Sequence, residues 1–242
     1  MTDRNPTKKA PATPVTVENN ENVAVLKFDD GKANVLGFES INLLHTVLDD
    51  LSDNADAIVL VGRPGRFSAG FDLEVIKSGA DAAARMFERG VDLFLRLYQY
   101  PRPVVAACTG HAIAAGAIVL MSCDLRIGLG GEFKIGLPEV TIGMPLPFFA
   151  TELARDRLSK RHYTQATALG RMYNPEEAVD VGFLDELSDN DVIGSASDRA
   201  QLLTGIRRSG FLRTRSNSRD TTSKAIRAHL AEDLSHFSVE SN

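Results

Sequence analysis

The chain has 242 residues, of which 43% are hydrophobic and 24% are charged, as in an ordinary globular protein with one sizeable core. Its formal net charge of −5 argues against a general nucleic-acid-binding surface, and it contains no apolar run of about 18 residues that would predict a membrane-spanning helix. The first 14 residues are polar and lack the apolar segment of a signal peptide. We therefore expect a disordered lead-in and a cytoplasmic protein that binds neither nucleic acid nor membrane.

The two cysteines, Cys108 and Cys123, lie in apolar sequence. This setting predicts buried free thiols rather than a disulfide or a redox pair. Neither these cysteines nor the five histidines show the spacing of metal ligands, so we expect no metal site.

The first half of the chain alternates between strands and helices. Period-two alternation predicts a hairpin, and apolar residues at helical spacing predict two amphipathic helices. The predicted elements are the hairpin strands 15–18 and 23–28, a helix over 38–51, a strand over 57–61, a helix that begins near Asp72, and a helix over 80–100.

The second half begins with strands and ends in helices. We predict a strand over 103–108, a buried helix after the small-residue segment 112–117, a short strand over 124–128, helices over 148–158, 159–169 and 175–181, a strand over 182–187, and helices over 189–203 and 220–237. Ser159 and the Asn174-Pro175 pair are the expected helix starts, and the polar segment 213–219 is expected to separate the last two helices. Periodicity alone indicates no more than the α/β class.

Two stretches, 58–72 and 103–121, run from a buried strand through a loop of small residues into a helix. The first amides of a helix have no acceptor within it, so each such elbow can donate to an oxyanion. Close packing between strand and helix is the alternative explanation. Two elbows with free amides would together stabilise an oxygen atom that gains negative charge during a reaction.

Five segments carry a resemblance to a known family. They are 31–37 (GKANVLG), 67–73 (FSAGFDL), 110–124, 137–144 (LPEVTIGM) and 170–185, in this order within roughly residues 15–190. The set resembles the crotonase superfamily, the enoyl-CoA hydratases and isomerases. This resemblance implies an α/β spiral of repeated β-β-α units over 15–190, after the lead-in 1–14. It also implies a C-terminal helical trimerisation region over 191–242, in a homotrimer or a hexamer of paired trimers.

The resemblance also implies the chemistry of Glu139. From the residues alone, Glu139 is either a solvated loop glutamate or a carboxyl whose pKa is raised beside an apolar pocket. It stands where many relatives have a catalytic glutamate. Hydratases of the family carry a second glutamate at the position of Ile118, and an isoleucine cannot activate water.

The remaining site residues follow from the same resemblance. The amides of Ala69 and Ala115 are expected to form the oxyanion hole, with Gly70 and Gly116 keeping both elbows open. Asp72 is either a substrate contact or the N-cap of the next helix. Contacts with an acyl-CoA thioester are expected from Lys32, Ala33, Val35, Arg66, Phe67, Ile118 and Met144, and Arg63 is a further candidate for its phosphates. CoA is part of the substrate, so no separate cofactor is expected.

Three functions remain open at this point. The single glutamate favours double-bond isomerisation of an enoyl-CoA over its hydration. A non-catalytic acyl-CoA-binding protein on the same scaffold is the alternative, and an oligomeric structural protein without a CoA site is the third.

Overall fold

The computed structural model describes residues 13–236. The predicted lead-in over 1–14 therefore lies almost entirely outside the described residues, as does the predicted end of the last helix at Phe237. Across the described part of the chain, no helix has the length and hydropathy needed to span a bilayer.

The strands belong to three sheets. They are β1 (Val15–Asn20), β2 (Val23–Phe28), β3 (Val35–Leu36), β4 (Ala57–Val61), β5 (Gly65–Ser68), β6 (Gly70–Phe71), β7 (Val104–Cys108), β8 (Gly110–Ile113), β9 (Leu125–Leu129), β10 (Ile135–Gly136) and β11 (Glu186–Ser188). The largest sheet has six strands in the order β1-β2-β4-β7-β9-β11, and the smaller sheets are β10-β8-β5 and β3-β6. All neighbours pair in parallel except the hairpin β1-β2.

The helices connect these sheets. They are α1 (Phe38–Asn54), α2 (Leu73–Lys77), α3 (Ala80–Tyr98), α4 (Ala115–Ser122), α5 (Phe148–Arg157), α6 (Tyr163–Ala166), α7 (Pro175–Val181), α8 (Val192–Leu203) and α9 (Arg208–His236), with a 3₁₀ turn over Glu139–Ile142. In successive turns of the chain, one strand joins the large sheet, the next strands join a small sheet, and a helix follows. The predicted spiral of β-β-α units is thus confirmed.

The core lies on both faces of the large sheet. One face packs against α1, α3 and α4, and the other is covered by α8 through Val192, Ala196 and Ala200. A parallel strand buried on both faces has an unbroken apolar sequence, as β4 does with Ala-Ile-Val-Leu-Val. Cys108 and Cys123 are buried free thiols, as predicted, and burial raises the pKa of each to about 12.

The helix predicted over 159–169 is wrong in extent, because only Tyr163–Ala166 is α-helical. Ser159 is not its N-cap. The Ser159 amide donates to Val181 O at 2.8 Å, and its carbonyl accepts from the amides of His162 and Tyr163. Ser159 is therefore held in a turn against the end of α7, a contact that local sequence does not reveal.

The break predicted at 213–219 is also wrong, because α9 is one continuous helix through this segment. Arg215 Nη2 lies 2.6 Å from Asp124 Oδ2, and Arg219 Nη1 lies 2.9 Å from Asp124 Oδ1. Both arginines also donate to the carbonyl of Tyr98, at the end of α3. The polar residues that suggested a solvated loop are the residues that attach α9 to the core.

Candidate active site

Three chain segments meet at one point beside the small sheets. A Cβ atom built on Gly70, in β6, would lie 3.2 Å from the amide nitrogen of Ala115, at the start of α4. The amide of Ala114 donates to Gly136 O, in β10, at 2.9 Å. Since β10 leads directly to Glu139, the two predicted elbows and the segment that carries Glu139 adjoin one another.

The second elbow has the geometry of a donor site. Ala115 is the first residue of α4, so its amide has no acceptor within the helix. Ala114 before it has φ +55°, a left-handed conformation that alanine rarely adopts. A Cβ on Gly116 would lie 2.3 Å from Ser68 O, so only glycine lets α4 come this close to the first elbow.

At the first elbow the predicted donor needs correction. The amide of Ala69 donates to Ala33 O at 3.0 Å, so this amide is already satisfied within the protein. The amide of Asp72 also points to the neighbouring segment, donating to Leu36 O at 3.2 Å. Gly70, with φ +95°, interrupts the alternation of amide directions after Ala69. Leu36 pairs in register with Phe71 and accepts from the next residue, Asp72, so within this parallel pair the amide of Phe71 points away from β3. Local sequence does not reveal these directions, because the pairing with β3 that decides them is a tertiary contact.

Glu139 begins the 3₁₀ turn and is half-buried. Within the described residues, its buried Oε2 atom has no hydrogen-bond partner. Burial away from water raises the pKa of the Glu139 carboxyl to about 7. This carboxyl can therefore exchange a proton near neutral pH.

Helix α4 supplies no second carboxyl. Its sequence is Ala-Gly-Ala-Ile-Val-Leu-Met-Ser, and Ile118 is a core residue with 2% of its surface exposed. The amide of Ile118 donates to Ala114 O at 3.2 Å, which closes the first turn of the helix after the elbow.

The predicted CoA-binding residues fall into two groups. Lys32 and Arg66 are exposed, and Arg63 donates through Nη1 to Lys32 O and pairs with Arg66 in a β-bridge. The three cationic residues therefore lie on two adjoining segments, where Arg63 also forms an ion pair with Asp29 at 3.3 Å. Phe67 differs, because it is only 3% exposed and lines an internal apolar cavity. Its side chain is therefore part of the core.

The other predicted contacts are placed by local hydrogen bonds. Asp72 is the N-cap of α2, and its Oδ1 accepts from the Glu74 amide at 2.9 Å. Ala33 and Val35, which follow Lys32 in the chain, are half-buried. The Met144 amide donates to Glu139 O at 3.1 Å, which places Met144 next to the candidate base.

Asn34, which the sequence did not single out, connects this loop to the first elbow. It is fully buried with φ +53°, and its side-chain amide donates to Phe28 O at 2.6 Å and to Phe67 O at 3.3 Å. The Asn34 carbonyl accepts from Ser68 Oγ at 2.7 Å. Asn34 therefore fixes the spacing between the loop 31–35 and the elbow that carries Gly70.

We expect Asn34→Ala to lower the free energy of unfolding by about 2 kcal/mol, because it leaves buried carbonyls without a donor and puts alanine in a left-handed conformation. Urea unfolding checks this value against Asn19→Ala, an exposed position in β1 where a change of at most about 0.5 kcal/mol is expected. Equal stability of the two variants would show that Asn34 does not hold the loop.

A comparison with known proteins decides the family. The model of the family described as "Enoyl-CoA hydratase/isomerase" matches residues 18–239, which is most of the chain. The chain belongs to the enoyl-CoA hydratase/isomerase family. The resemblance to the crotonase superfamily is therefore confirmed.

Some relatives of this chain in the enoyl-CoA hydratase/isomerase family are named hydratases and others are named isomerases. The mitochondrial enoyl-CoA delta isomerase 1 of Homo sapiens is 32% identical over 180 residues, which is 72% of this chain and 60% of that relative's length. A crystal structure of an enoyl-CoA hydratase from Mycobacterium marinum is 38% identical, covers 93% of this chain and 99% of its own, and has a TM-score of 0.88. The crystal structure of human mitochondrial delta3-delta2-enoyl-CoA isomerase is 30% identical in sequence, covers 93% of this chain and 90% of its own, and has a TM-score of 0.87.

Proposed function

We propose that this protein is an enoyl-CoA isomerase that moves a double bond from the 3 to the 2 position of an acyl-CoA thioester, with Glu139 as its one acid–base group. The observation that carries the proposal is the Glu139 carboxyl, whose Oε2 is buried without a hydrogen-bond partner among the described residues and whose pKa is raised to about 7, together with the lack of a carboxylate in helix α4. One such group suffices for a proton shuttle. Hydration normally uses two carboxylates to orient one water and move its protons.

The reaction takes two proton transfers. Deprotonated Glu139 removes a proton from C2, and the C–H electron pair forms a C1–C2 double bond as the thioester oxygen becomes an oxyanion of a dienolate. When the oxyanion returns to a carbonyl, electrons shift through the diene and C4 takes the proton back from Glu139. The product has its double bond at C2–C3, and the carboxylate is regenerated.

The oxyanion needs two donors. We propose the amides of Ala115 and Phe71, in place of Ala69. The first is unpaired within α4, and the second points away from β3, on the strand segment whose Gly70 borders Ala115. Gly70, Ala115 and Gly116 beside these amides are buried, and hydrogen bonds to a developing charge are stronger away from water.

The two ends of the substrate would bind on different segments. The cations Lys32, Arg63 and Arg66 suit the phosphates of CoA, although each also has the ordinary role of a surface charge. Met144 and Leu146 follow Glu139 on the same loop, and both are half-buried, so they suit an acyl chain. The exposed apolar residues Leu202, Ile206 and Leu212, at the α8–α9 corner, suit contacts in a homotrimer or hexamer.

A spectrophotometric assay with a 3-enoyl-CoA and a 2-enoyl-CoA tests the proposal. We expect the conjugated thioester to appear from the 3-enoyl ester, and the 2-enoyl ester to persist. Loss of the conjugated 2-enoyl ester would instead show a hydratase with another group in place of a second glutamate. Tight binding of a saturated acyl-CoA without turnover of either ester would show the acyl-CoA-binding alternative.

A further inference from the structure

The first turn of α5 is capped by a residue from the far end of the chain. Pro147, which precedes the helix, has no acceptor in its side chain, so the usual local cap is missing. The amides of Ala150 and Thr151 donate to Pro147 O. The two remaining first-turn amides, of Phe148 and Phe149, donate to the two carboxylate oxygens of Asp233 at 2.8 and 3.1 Å.

The contact around Asp233 extends along α9. One turn earlier, the His229 ring stacks on the Phe148 ring, with centroids 4.0 Å apart and an interplanar angle of 21°. Leu230 and Leu234, on either side of Asp233, pack against the main core. The end of α9 is therefore docked through both apolar and charge-assisted contacts, and the negative carboxylate lies at the positive end of the α5 dipole.

The segment 139–147, called the catalytic loop here because it carries Glu139, ends where α5 begins. At its start, this loop is fixed by bonds within the 3₁₀ turn, from the Met144 amide to Glu139 O and from Thr141 Oγ1 to Pro138 O. Pro145 and Pro147 have no amide hydrogen, so they cannot anchor the loop by donating. At its far end, the loop joins the two amides bound to Asp233.

We propose that Asp233 is a positioning residue for Glu139. By fixing the start of α5, its carboxylate holds the segment 143–147 and thereby the orientation of the 3₁₀ turn and the width of the acyl pocket. This rests on the proposed catalytic role of Glu139. Asp233 does not touch the reacting atoms, and its two oxygens are already committed to amides, so it is not a substitute for a second catalytic carboxylate.

Three variants test the role. Asp233→Ala removes both acceptors, whereas Asp233→Asn keeps one oxygen to accept an amide. Asp220→Ala is the matched control, because Asp220 lies on the same helix and accepts from Gln99 Nε2 and Ser216 Oγ, away from the catalytic loop. Thermal unfolding of all three measures the loss of stability that any weakening of α9 would cause.

Hydrogen–deuterium exchange of residues 143–150, without substrate, gives the first readout. We expect exchange to be about tenfold faster in Asp233→Ala, less so in Asp233→Asn, and unchanged in Asp220→Ala, since a lost cap opens only its own helix end. Unchanged exchange in Asp233→Ala, or equal acceleration in Asp220→Ala, would overturn the proposal.

Turnover of a 3-enoyl-CoA gives the second readout. We expect kcat, corrected for folded protein, to fall about tenfold in Asp233→Ala, because small displacements of a catalytic group are costly. It should recover partly in Asp233→Asn and stay within about twofold in Asp220→Ala. A kcat that follows thermal stability alone in all three would reduce Asp233 to a structural contact. An inactive wild-type protein would refute the proposed function instead, while the exchange measurement would still decide whether Asp233 orders the loop.

Discussion

Glu139→Gln is expected to lower kcat by about 10²–10⁴-fold, while the dissociation constant for a saturated acyl-CoA stays nearly unchanged. The amide keeps the size and most of the polarity of the side chain but cannot accept the proton from C2, and a positioned acid–base group contributes about 10²–10⁴-fold. Steady-state kinetics with a 3-enoyl-CoA and calorimetric titration with the saturated ester measure the two quantities. Substantial activity in the variant would show that another group carries the proton.

The pH dependence of the wild-type enzyme follows from the same carboxyl. Glu139 acts as a base only when deprotonated, and burial raises its pKa to about 7, so kcat/KM should rise with pH through about 7. A midpoint near the ordinary value of 4.5 would mean that the carboxyl is well hydrated in solution.

The raised pKa of Glu139 also has a consequence for stability. Between 4.5, its ordinary value, and about 7, the unfolded chain loses the proton while the folded protein retains it, so stability falls as pH rises through this range. The Glu139→Gln side chain does not titrate, so the stability of this variant does not fall for this reason. We expect the variant to be more stable than wild type by about 2 kcal/mol at pH 8 and equal to it near pH 4, as measured by urea unfolding.

The second large effect is expected at Gly116. Glycine to alanine within a helix ordinarily stabilises by about 1 kcal/mol, but here the new Cβ would lie 2.3 Å from Ser68 O and force the two elbows apart. We expect Gly116→Ala to lower the free energy of unfolding by about 2–3 kcal/mol and kcat by about 10²–10³-fold, because overpacking strains the core and the oxyanion donors separate.

Gly210→Ala is the matched control for this change. Gly210 also lies in a helix, α9, and a Cβ there would meet nothing within 4 Å. We expect it to be neutral or slightly stabilising, with unchanged turnover. If Gly116→Ala behaved in the same way, the close approach of α4 to the first elbow would not be required for the reaction.

Features with a local physical cause could be predicted from the sequence. The strand Ala57–Val61 and the helix Pro175–Val181 have the predicted bounds, because an apolar β-branched run, the N-cap Asn174 and the C-terminal Gly182 act within a few residues. The two elbows could be located for the same reason, whereas Glu139 was singled out only by the family resemblance; the structure brings the elbows and the segment of Glu139 together.

Features that depend on distant partners were missed. The choice between the amides of Ala69 and Phe71 depends on pairing with β3, and the continuity of α9 depends on Asp124. The cap of α5 by Asp233 joins residues 85 positions apart in the chain. None of these contacts leaves a periodic pattern, because a single hydrogen bond or ion pair between distant residues places no constraint on the neighbouring sequence.

The attachment of α9 to Asp124 has a consequence for the protein as it is synthesised. Arg215, the ion-pair partner of Asp124, follows 91 residues later, so at about 5–20 residues per second the nascent chain lacks this ion pair for several seconds. A chain that stops before α9 lacks Arg215 and Arg219 as partners of Asp124, and it also lacks Ile226, which is buried in the main core. Prematurely ended copies would therefore stay poorly folded and open to proteolysis, so the last helix makes stability conditional on a finished chain.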